Sequence, residues 1–403
     1  MKPTTLLLFL FSFLISQAQQ LKKIEYKAYG VVNYYDFNWD TDQDKRNSFD
    51  TERLNIYLKY NFTDRIQLKT EFEFEHGGTG ITMELDKFEE FGEYETELEA
   101  GGAVKLEQLN LLFLYKPWLN FRIGRIKLYM GNASKLDTPT QYFTGYRSPM
   151  ESALLPMGWY ENGIELLGDL GKKKQFSYKL FLVNGLSSVG FTSANWIKRG
   201  HQTRFETINT NNLAFSSRLD YNLKGGGFLG FSTYVGNTNR NRPKPDLDHV
   251  KSRIAIIDFH INIETENLKI RGMILVGNLQ NSDKITIANK KLSNNLNVKR
   301  TPVAKNALGY YAEIGYNIQS LYSTNNHKKL FLFTRYDFYD SMHTTAGDVF
   351  DNPRWQRSVL TAGINYMIHP TINLKAHYAI NTLGLTSENK EKTFLLGMGF
   401  TIN

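Results

Sequence analysis

Short segments in which apolar and polar residues alternate recur along almost the whole chain. Residues 54–60 (LNIYLKY) and 66–74 (IQLKTEFEF) are clear examples. Because successive side chains of a β-strand point to opposite faces, this period of two predicts strands with one apolar face and one polar face. The segments are about ten residues long, whereas strands in globular proteins most often have about five or six.

Sixteen such segments can be placed, with short and long connections alternating between them. We predict strands near residues 24–38, 51–61, 66–76, 105–115, 119–130, 160–168, 175–184, 212–222, 226–236, 252–263, 266–278, 307–318, 328–339, 355–367, 371–382 and 391–402. The long connections lie at 39–50, 77–104, 131–159, 185–211, 237–251, 279–306, 340–354 and 383–390. Short turns on one side and long loops on the other are typical of an outer-membrane β-barrel.

The N-terminal residues predict export. Lys2 precedes an apolar run of about ten residues, and Ser16-Gln17-Ala18 has the small-x-small pattern of a signal-peptidase site. We therefore interpret residues 1–18 as a signal peptide. A transmembrane anchor, the alternative, would need about 20 apolar residues.

The remaining residues, 19–403, contain no run of 18 apolar residues, so a closed barrel is the structure left for crossing a membrane. We predict one all-β domain, a transmembrane antiparallel up-and-down β-barrel of about 16 strands in the cell outer membrane. A secreted β-sandwich or β-helix is the alternative, but 23 Tyr and 27 Phe fit the aromatic girdles of a barrel better.

The net charge and the absence of cysteine limit the classes of binding partner that we expect. The formal net charge is +8 and the chain has no cysteine, which excludes disulfides and cysteine–metal sites. For an exported basic protein we expect contact with outer-membrane lipid and lipopolysaccharide and with small solutes, including anions, and no nucleic acid. The acidic run 84–99 in the second long loop is interpreted as a solvated loop rather than a cation site.

If the apolar face meets lipid, the alternate positions name the side chains of the lumen. The predicted inward bases are Arg53, Lys59, Lys69, Arg122, Lys179, Arg218, Lys269, Arg271, Arg335, Arg357 and Lys375. The predicted inward acids are Glu71, Glu73, Glu75, Asp220, Asp258, Glu313 and Asp337. This excess of bases favours a mild preference for anions in a water-filled lumen. The alternative is that pairs two residues apart, such as Arg218 with Asp220 and Arg335 with Asp337, only brace the wall.

An enzyme of the outer membrane is the competing class of function. Asp258, His260 and Asn262 share one face of a strand, but such positions are about 7 Å apart, which we take as too far for a catalytic relay. His260 and His377 are isolated histidines, and without a second histidine or a carboxylate at ligand spacing they are weak evidence of a metal site. We therefore predict no catalytic residues, no cofactor and no metal, and a non-conducting structural or adhesive barrel stays open as an alternative.

Four stretches of the sequence are similar to a known family. They are residues 121–131 (FRIGRIKLYMG), 159–168 (WYENGIELLG), 178–185 ending in Val-Asn-Gly, and 363–378 (GINYMIHPTINLKAHY). Their sequence and order resemble the phosphate-selective porin O/P-like proteins of Gram-negative outer membranes, in their Bacteroidetes-type branch. The chain departs from many barrels at its last residue, Asn403, where an aromatic residue is common.

The resemblance implies a homotrimeric porin that lets small hydrophilic solutes diffuse, with a preference for anions such as phosphate. It also implies that the third long loop, 131–159, folds into the lumen as a constriction. On that basis Lys135, Arg147 and Glu151 join Arg122 and the inward bases above as expected pore-lining residues.

Overall fold

The computed structural model describes residues 23–86, 95–202, 208–292, 300–322 and 328–402, with the side chains of 79–101 excepted. Sixteen strands form one closed antiparallel barrel in which each strand pairs with its neighbours in the sequence. They are β1 Ile24–Trp39, β2 Ser48–Thr63, β3 Ile66–Asp86, β4 Glu95–Lys116, β5 Leu119–Lys127, β6 Tyr160–Leu170, β7 Phe176–Asn184, β8 Leu213–Asn222, β9 Gly227–Asn237, β10 Arg253–Glu264, β11 Leu268–Leu279, β12 Asn306–Asn317, β13 Lys329–Thr344, β14 Gln356–His369, β15 Ile372–Leu383 and β16 Lys390–Ile402. The predicted fold class and strand count are confirmed. The predicted signal peptide, residues 1–18, and Asn403 lie outside the described residues.

The barrel closes where β1 pairs with β16, from Ala28 opposite Ile402 to Trp39 opposite Glu391. The start of β1 and the end of β16 therefore lie at the same end of the barrel as the short turns, which we call the turn end. The long connections lie at the opposite end, the loop end. Closure leaves no unpaired strand edge, so every strand exchanges backbone hydrogen bonds on both sides.

Alternation of side chains between the two faces follows the sequence pattern. On β13, Leu332 and Tyr336 are 54% and 43% exposed on the outer face. Arg335 and Asp337 lie on the inner face of the same strand and are only 2% and 0% exposed. A belt of exposed apolar side chains thus surrounds the barrel, as in barrels that face lipid.

Strands β3 and β4 are longer than predicted. Residues 77–104 were expected to form a loop, but the two strands continue as a hairpin to Asp86 and from Glu95. Glycines in this segment accommodate a register shift between Glu75 and Gly80. Gly102 has φ +155, and an added Cβ would lie 1.5 Å from the carbonyl oxygen of Gly78. The side chains of the acidic run 84–99 lie outside the described residues.

The loop end of the barrel is filled by inward-folded loops. Two short helices, α1 (Pro149–Leu154) and α2 (Ser282–Lys290), interrupt the third and sixth long connections. Met150, Trp159 and Trp196 from the loops pack in a buried apolar cluster with wall residues such as Ile254. Among the described segments, no helix is long and apolar enough to cross a membrane.

Candidate functional site

The third long connection leaves the wall earlier than predicted and crosses the lumen. Strand β5 ends at Lys127 instead of near 130, and residues 128–159 form what we call the crossing loop. The chain turns inward at Gly131, which has φ +67 and whose N–H donates to Asp258 at 3.2 Å. Asn132 then donates to the carbonyl oxygen of Gly272 at 3.0 Å and to the hydroxyl of Tyr311 at 2.9 Å. The loop is thereby fixed to β10, β11 and β12.

Wall side chains hold the middle of the crossing loop by its backbone carbonyl oxygens. Lys375, which is 3% exposed, donates to Pro139 at 2.7 Å and to Thr144 at 2.8 Å. Asn365 donates to the carbonyl of Phe143 at 3.0 Å, and Arg271 donates to that of Gln141. These donors lie on β11, β14 and β15, so side chains expected to line an open lumen bind the loop instead.

One carboxylate joins the loop to the opposite wall. Asp137, 7% exposed, accepts hydrogen bonds from Arg53 on β2 at 3.2 Å and from Lys127 at the end of β5 at 2.5 Å. It also accepts from Arg147 of the loop itself and from the hydroxyl of Tyr29 on β1 at 3.3 Å. We call Asp137, Arg53, Lys127 and Arg147 the Asp137 cluster.

The three loop residues predicted for a constriction have different surroundings. The side chain of Lys135 is one-third exposed and pairs with Asp220 at 2.9 Å, and its burial lowers the pKa of the amine. Arg147 belongs to the Asp137 cluster. Glu151 is 1% exposed and accepts from the N–H of Ala133 at 2.8 Å, so it braces the loop from within. Burial raises the pKa of Glu151 to about 7.

A cavity of about 280 Å³ opens on the inner wall at the turn end. We call it the vestibule. It is lined by Glu25, Lys27, Tyr57, Leu58, Lys59, Lys69, Thr70, Gln108, Arg122 and Tyr129. Lys59 pairs with Glu25 at 2.9 Å, and Arg122 pairs with Glu165 at 2.5 Å. Lys69 has no carboxylate partner among the described residues, and four bases against one acid line the vestibule.

The inner faces of β8 and β10 carry a hydrogen-bonded network of ionisable side chains. Both nitrogens of the His260 ring face carboxylates, at 2.6 Å from Asp258 and 2.8 Å from Asp220. The expectation that Asp258 lies too far from His260 is wrong, because the two side chains bridge the roughly 7 Å that separates neighbouring same-face positions of a strand. Asp220 is two strands away, and Gly230 on β9 between them has no side chain to block the contact.

This hydrogen-bonded network lacks the arrangement of the catalytic groups of a hydrolase. Ser232 donates to Asp258, and both ring nitrogens of His260 face carboxylates, so among the described residues no hydroxyl is hydrogen-bonded to the imidazole for activation. Asp220 is also bound by Arg218 at 3.0 Å and by Lys135. In the part of the chain that the structure describes, no group of three or more His, Asp or Glu side chains is arranged to hold a metal ion.

Comparison with known proteins establishes the fold. No family model matches the chain. The chain is 27% identical to an uncharacterised protein of Aquifex aeolicus over 369 residues, which cover 90% of this chain and 77% of that protein.

Solved barrels align with nearly the whole chain. The barrel of OprB from Pseudomonas putida aligns with a TM-score of 0.56 at 8% identity, over 96% of each chain. The anion-selective porin from Comamonas acidovorans aligns with a TM-score of 0.54 at 11% identity, over 94% of this chain and all of that one. OmpF of Salmonella typhi, solved in complex with daunomycin, aligns with a TM-score of 0.54 at 13% identity, over 94% of this chain and 97% of that chain. The chain has the porin fold.

Within this porin fold the predicted inward bases divide into groups. Arg53, Arg218, Arg271, Arg335 and Lys375 contact the crossing loop. Lys59, Lys69 and Arg122 line the vestibule, and Lys179 lies beside them, 3.1 Å from Glu165. Lys269 pairs with Glu264, and Arg357 lies over the ring of Trp355 at 5.3 Å. The two pairs expected to brace the wall do so, at 3.0 Å for Arg218–Asp220 and 2.8 Å for Arg335–Asp337.

Sequence reasoning missed Asp137, Lys127 and Glu165. Asp137 lies in a loop, where alternation gives no information about direction. Glu165 lies on β6 among Ile164, Leu166 and Leu167, where the apolar run hides the alternation. The signal that could have found Glu165 is its position directly opposite Arg122 on β5.

Proposed function

We propose that this protein is an outer-membrane channel through which small hydrophilic solutes diffuse passively. The single observation that carries the proposal is a closed sixteen-strand barrel with an apolar outer belt and a charged inner wall. A barrel that needed only to be stable in lipid would gain nothing from many charged side chains inside it, since burying charges is costly. The likeness in fold to three porins supports the same function.

We further propose a preference for anions, with phosphate as the first solute to test. The support is the vestibule, where Lys59, Lys69 and Arg122 line one cavity. Four of the residues that line this cavity are bases and one is an acid, and we infer that it sets the sign of the preference. Because this cavity is open to water, its charges act through a high dielectric and the preference is strongest at low salt.

A localisation and an assembly belong to the same proposal. We propose that residues 1–18 direct export, that the mature chain forms homotrimers, and that its outer surface contacts lipid and lipopolysaccharide. The exposed apolar side chains on the outer face support contact with lipid.

A second candidate, a structural or adhesive barrel that does not conduct, is favoured by one observation. The crossing loop is hydrogen-bonded to β2 and β5 on one side and to β11, β14 and β15 on the other. Wall residues at its level, among them Arg53, Arg335 and Lys375, are 4% exposed or less. If the loop never moves, little room remains for a solute.

Swelling of proteoliposomes separates the two candidates. Liposomes that contain the folded protein are placed in isotonic solutions of arabinose, glucose, sucrose or stachyose, and light scattering follows the entry of sugar. We expect swelling with the pentose and hexose that falls steeply with solute size. Protein-free liposomes and heat-denatured protein are the controls. No swelling beyond these controls, from protein shown to be folded by heat-modifiable mobility on gels, would favour the non-conducting barrel.

A further inference from the structure

The Asp137 cluster has the composition of an oxyanion site with its ligand already in place. Three cations, Arg53, Lys127 and Arg147, converge on the one carboxylate of Asp137, and the hydroxyl of Tyr29 donates to it as well. Guanidinium and ammonium groups around a carboxylate would bind a solute carboxylate or phosphate by the same hydrogen bonds. The four groups come from β1, β2, β5 and the crossing loop, so only the fold brings them together.

We propose that Arg53, Lys127 and Arg147 form a binding site for small oxyanions that is occupied in this structure by Asp137 as a tethered competitor. A solute carboxylate or phosphate displaces the side chain of Asp137, and this displacement removes the links that this carboxylate makes from the crossing loop to β2 and β5. The inference rests on the proposed channel function and names the class of solute that opens the path.

Two unused hydrogen-bond donors indicate that the site can bind an anion with more acceptor positions than a single carboxylate has. The Nε atoms of Arg53 and Arg147 are buried and have no hydrogen-bond partner among the described residues. A carboxylate has two oxygens, whereas a phosphate has more acceptor positions to offer to such donors. A void of about 20 Å³, lined in part by Lys127, Asp137 and Arg147, adjoins the cluster, so the packing beside the carboxylate is not complete.

The cluster also lies next to a route for the solute. Tyr57 lines the vestibule, and its hydroxyl is 3.5 Å from that of Tyr29. Tyr29 in turn donates to Asp137. An anion that enters the vestibule is therefore separated from the Asp137 cluster by two tyrosine side chains, which share a tilted ring contact at 5.9 Å.

A tethered competitor has a measurable consequence. If Asp137 leaves the site in only about a tenth of the molecules, the apparent affinity for a free anion is about tenfold below the intrinsic affinity. Replacing Asp137 by Asn removes the competing charge and changes few atoms. Replacing it by Glu keeps the charge and is the matched control.

The test measures binding of inorganic phosphate, and separately of acetate, to the folded protein in detergent by isothermal titration calorimetry at low salt. We expect Asp137→Asn to bind phosphate about tenfold more tightly than wild type, and Asp137→Glu to stay within about twofold of wild type. The double variant D137N/R147Q should lose the gain, which places the new affinity at this cluster. Equal phosphate affinity of wild type and Asp137→Asn would overturn the inference.

A second variant keeps the test valid if Asp137→Asn does not fold. An ideal Cβ at Gly399 on β16 would lie 2.6 Å from the Cβ of Pro139, two residues from Asp137. Since the chain has no cysteine, Pro139→Cys with Gly399→Cys would form a single disulfide after a shift of about 1 Å. We expect the oxidised form to bind phosphate at least about threefold more weakly than the reduced form, because the tether keeps Asp137 in place. Equal affinities of the two forms would contradict the inference.

These binding measurements do not depend on conduction. Phosphate binding that responds to Asp137 in a protein that does not conduct would support the site and remove the channel. Conduction by wild type together with unchanged binding in every variant would leave the channel and remove the site.

Discussion

Lys59 on β2 and Lys69 on β3 lie directly opposite each other, and both line the vestibule. Like charges at directly opposed positions of an antiparallel pair are destabilising, since their Cβ atoms are only about 5 Å apart. Glu25 compensates Lys59, and Lys69 has no carboxylate partner in the described part of the chain. The barrel thus keeps an unfavourable pair at the place where a solute would enter from the turn end.

Lys69→Gln should therefore reduce the preference for anions and make the barrel slightly more stable. Removing the opposed charge should stabilise the fold by a few tenths of a kcal/mol, on the order of a surface pair. The preference is measured as the reversal potential across a tenfold salt gradient at low ionic strength. Lys69→Arg, which keeps the charge, is the control, and a reversal potential that is the same in all three proteins would refute the role of the vestibule.

Lys375 should matter for the crossing loop more than its charge suggests. Lys375→Met removes a donor to the carbonyls of Pro139 and Thr144. The carbonyl of Pro139 still accepts from Asn373, whereas that of Thr144 loses its side-chain donor, and an unsatisfied buried acceptor costs about 2 kcal/mol. We expect faster hydrogen exchange in residues 138–145 and a lower unfolding midpoint. Lys269→Met is a matched control on the inner wall, because Lys269 pairs with Glu264 and not with the loop. Equal exchange in both variants would show that Lys375 does not hold the loop.

Glu151 should make the crossing loop sensitive to pH. Burial raises the pKa of its carboxyl from 4.5 to about 7, so the packed loop favours the protonated form. The raised pKa of Glu151 contributes to the free energy of unfolding in full below pH about 4.5. This contribution declines as the pH rises and is lost above pH about 7. The shift corresponds to at most about 3 kcal/mol.

Hydrogen exchange of residues 131–159, corrected for the intrinsic rate, should show weaker protection at pH 8 than at pH 5. Glu151→Gln keeps an acceptor for the N–H of Ala133 without a titrating group, so its protection should be nearly independent of pH. A wild-type loop equally protected at both values would contradict the assignment.

Gly230 should be indispensable for the contact between His260 and Asp220. An added Cβ at Gly230 would lie 2.2 Å from the carbonyl oxygen of Leu219 and 2.7 Å from Oδ1 of Asp220. Gly230→Ala should therefore push β8 and β9 apart locally and lower the free energy of unfolding by about 1–3 kcal/mol, as expected for an overpacked site. In the turn before β9, Gly225→Ala meets no atom within 4 Å and should be neutral. A neutral Gly230→Ala would show that the strands absorb the methyl group.

The alternation of side chains predicted the barrel well because burial on one face repeats at every strand. It placed Arg335 and Asp337 on the inner wall and Leu332 and Tyr336 on the outer face, where the structure has them. The pattern failed where loops enter the barrel. At the loop end of β10, Ile254 and Ile256 point inward against the loops, so both faces are apolar and the sequence shows a run without alternation.

The chemistry of the site was harder to predict than the fold. Pairing such as that of Asp137 with Arg53 links residues 84 positions apart through a loop whose path no periodicity encodes. The bases of the inner wall were found, but their roles as partners of loop carbonyls depend on tertiary structure. For the same reason the contact of His260 with Asp220 required knowledge of Gly230 on the strand between them.

The most direct test of the account is single-channel recording of the purified, folded protein in a planar lipid bilayer, with a salt gradient and without added phosphate at first. We predict discrete conductance steps, in groups of three for a trimer, with a reversal potential biased toward anions. The absence of steps from folded protein, under conditions in which a known porin conducts, would contradict the central claim that this barrel is a channel.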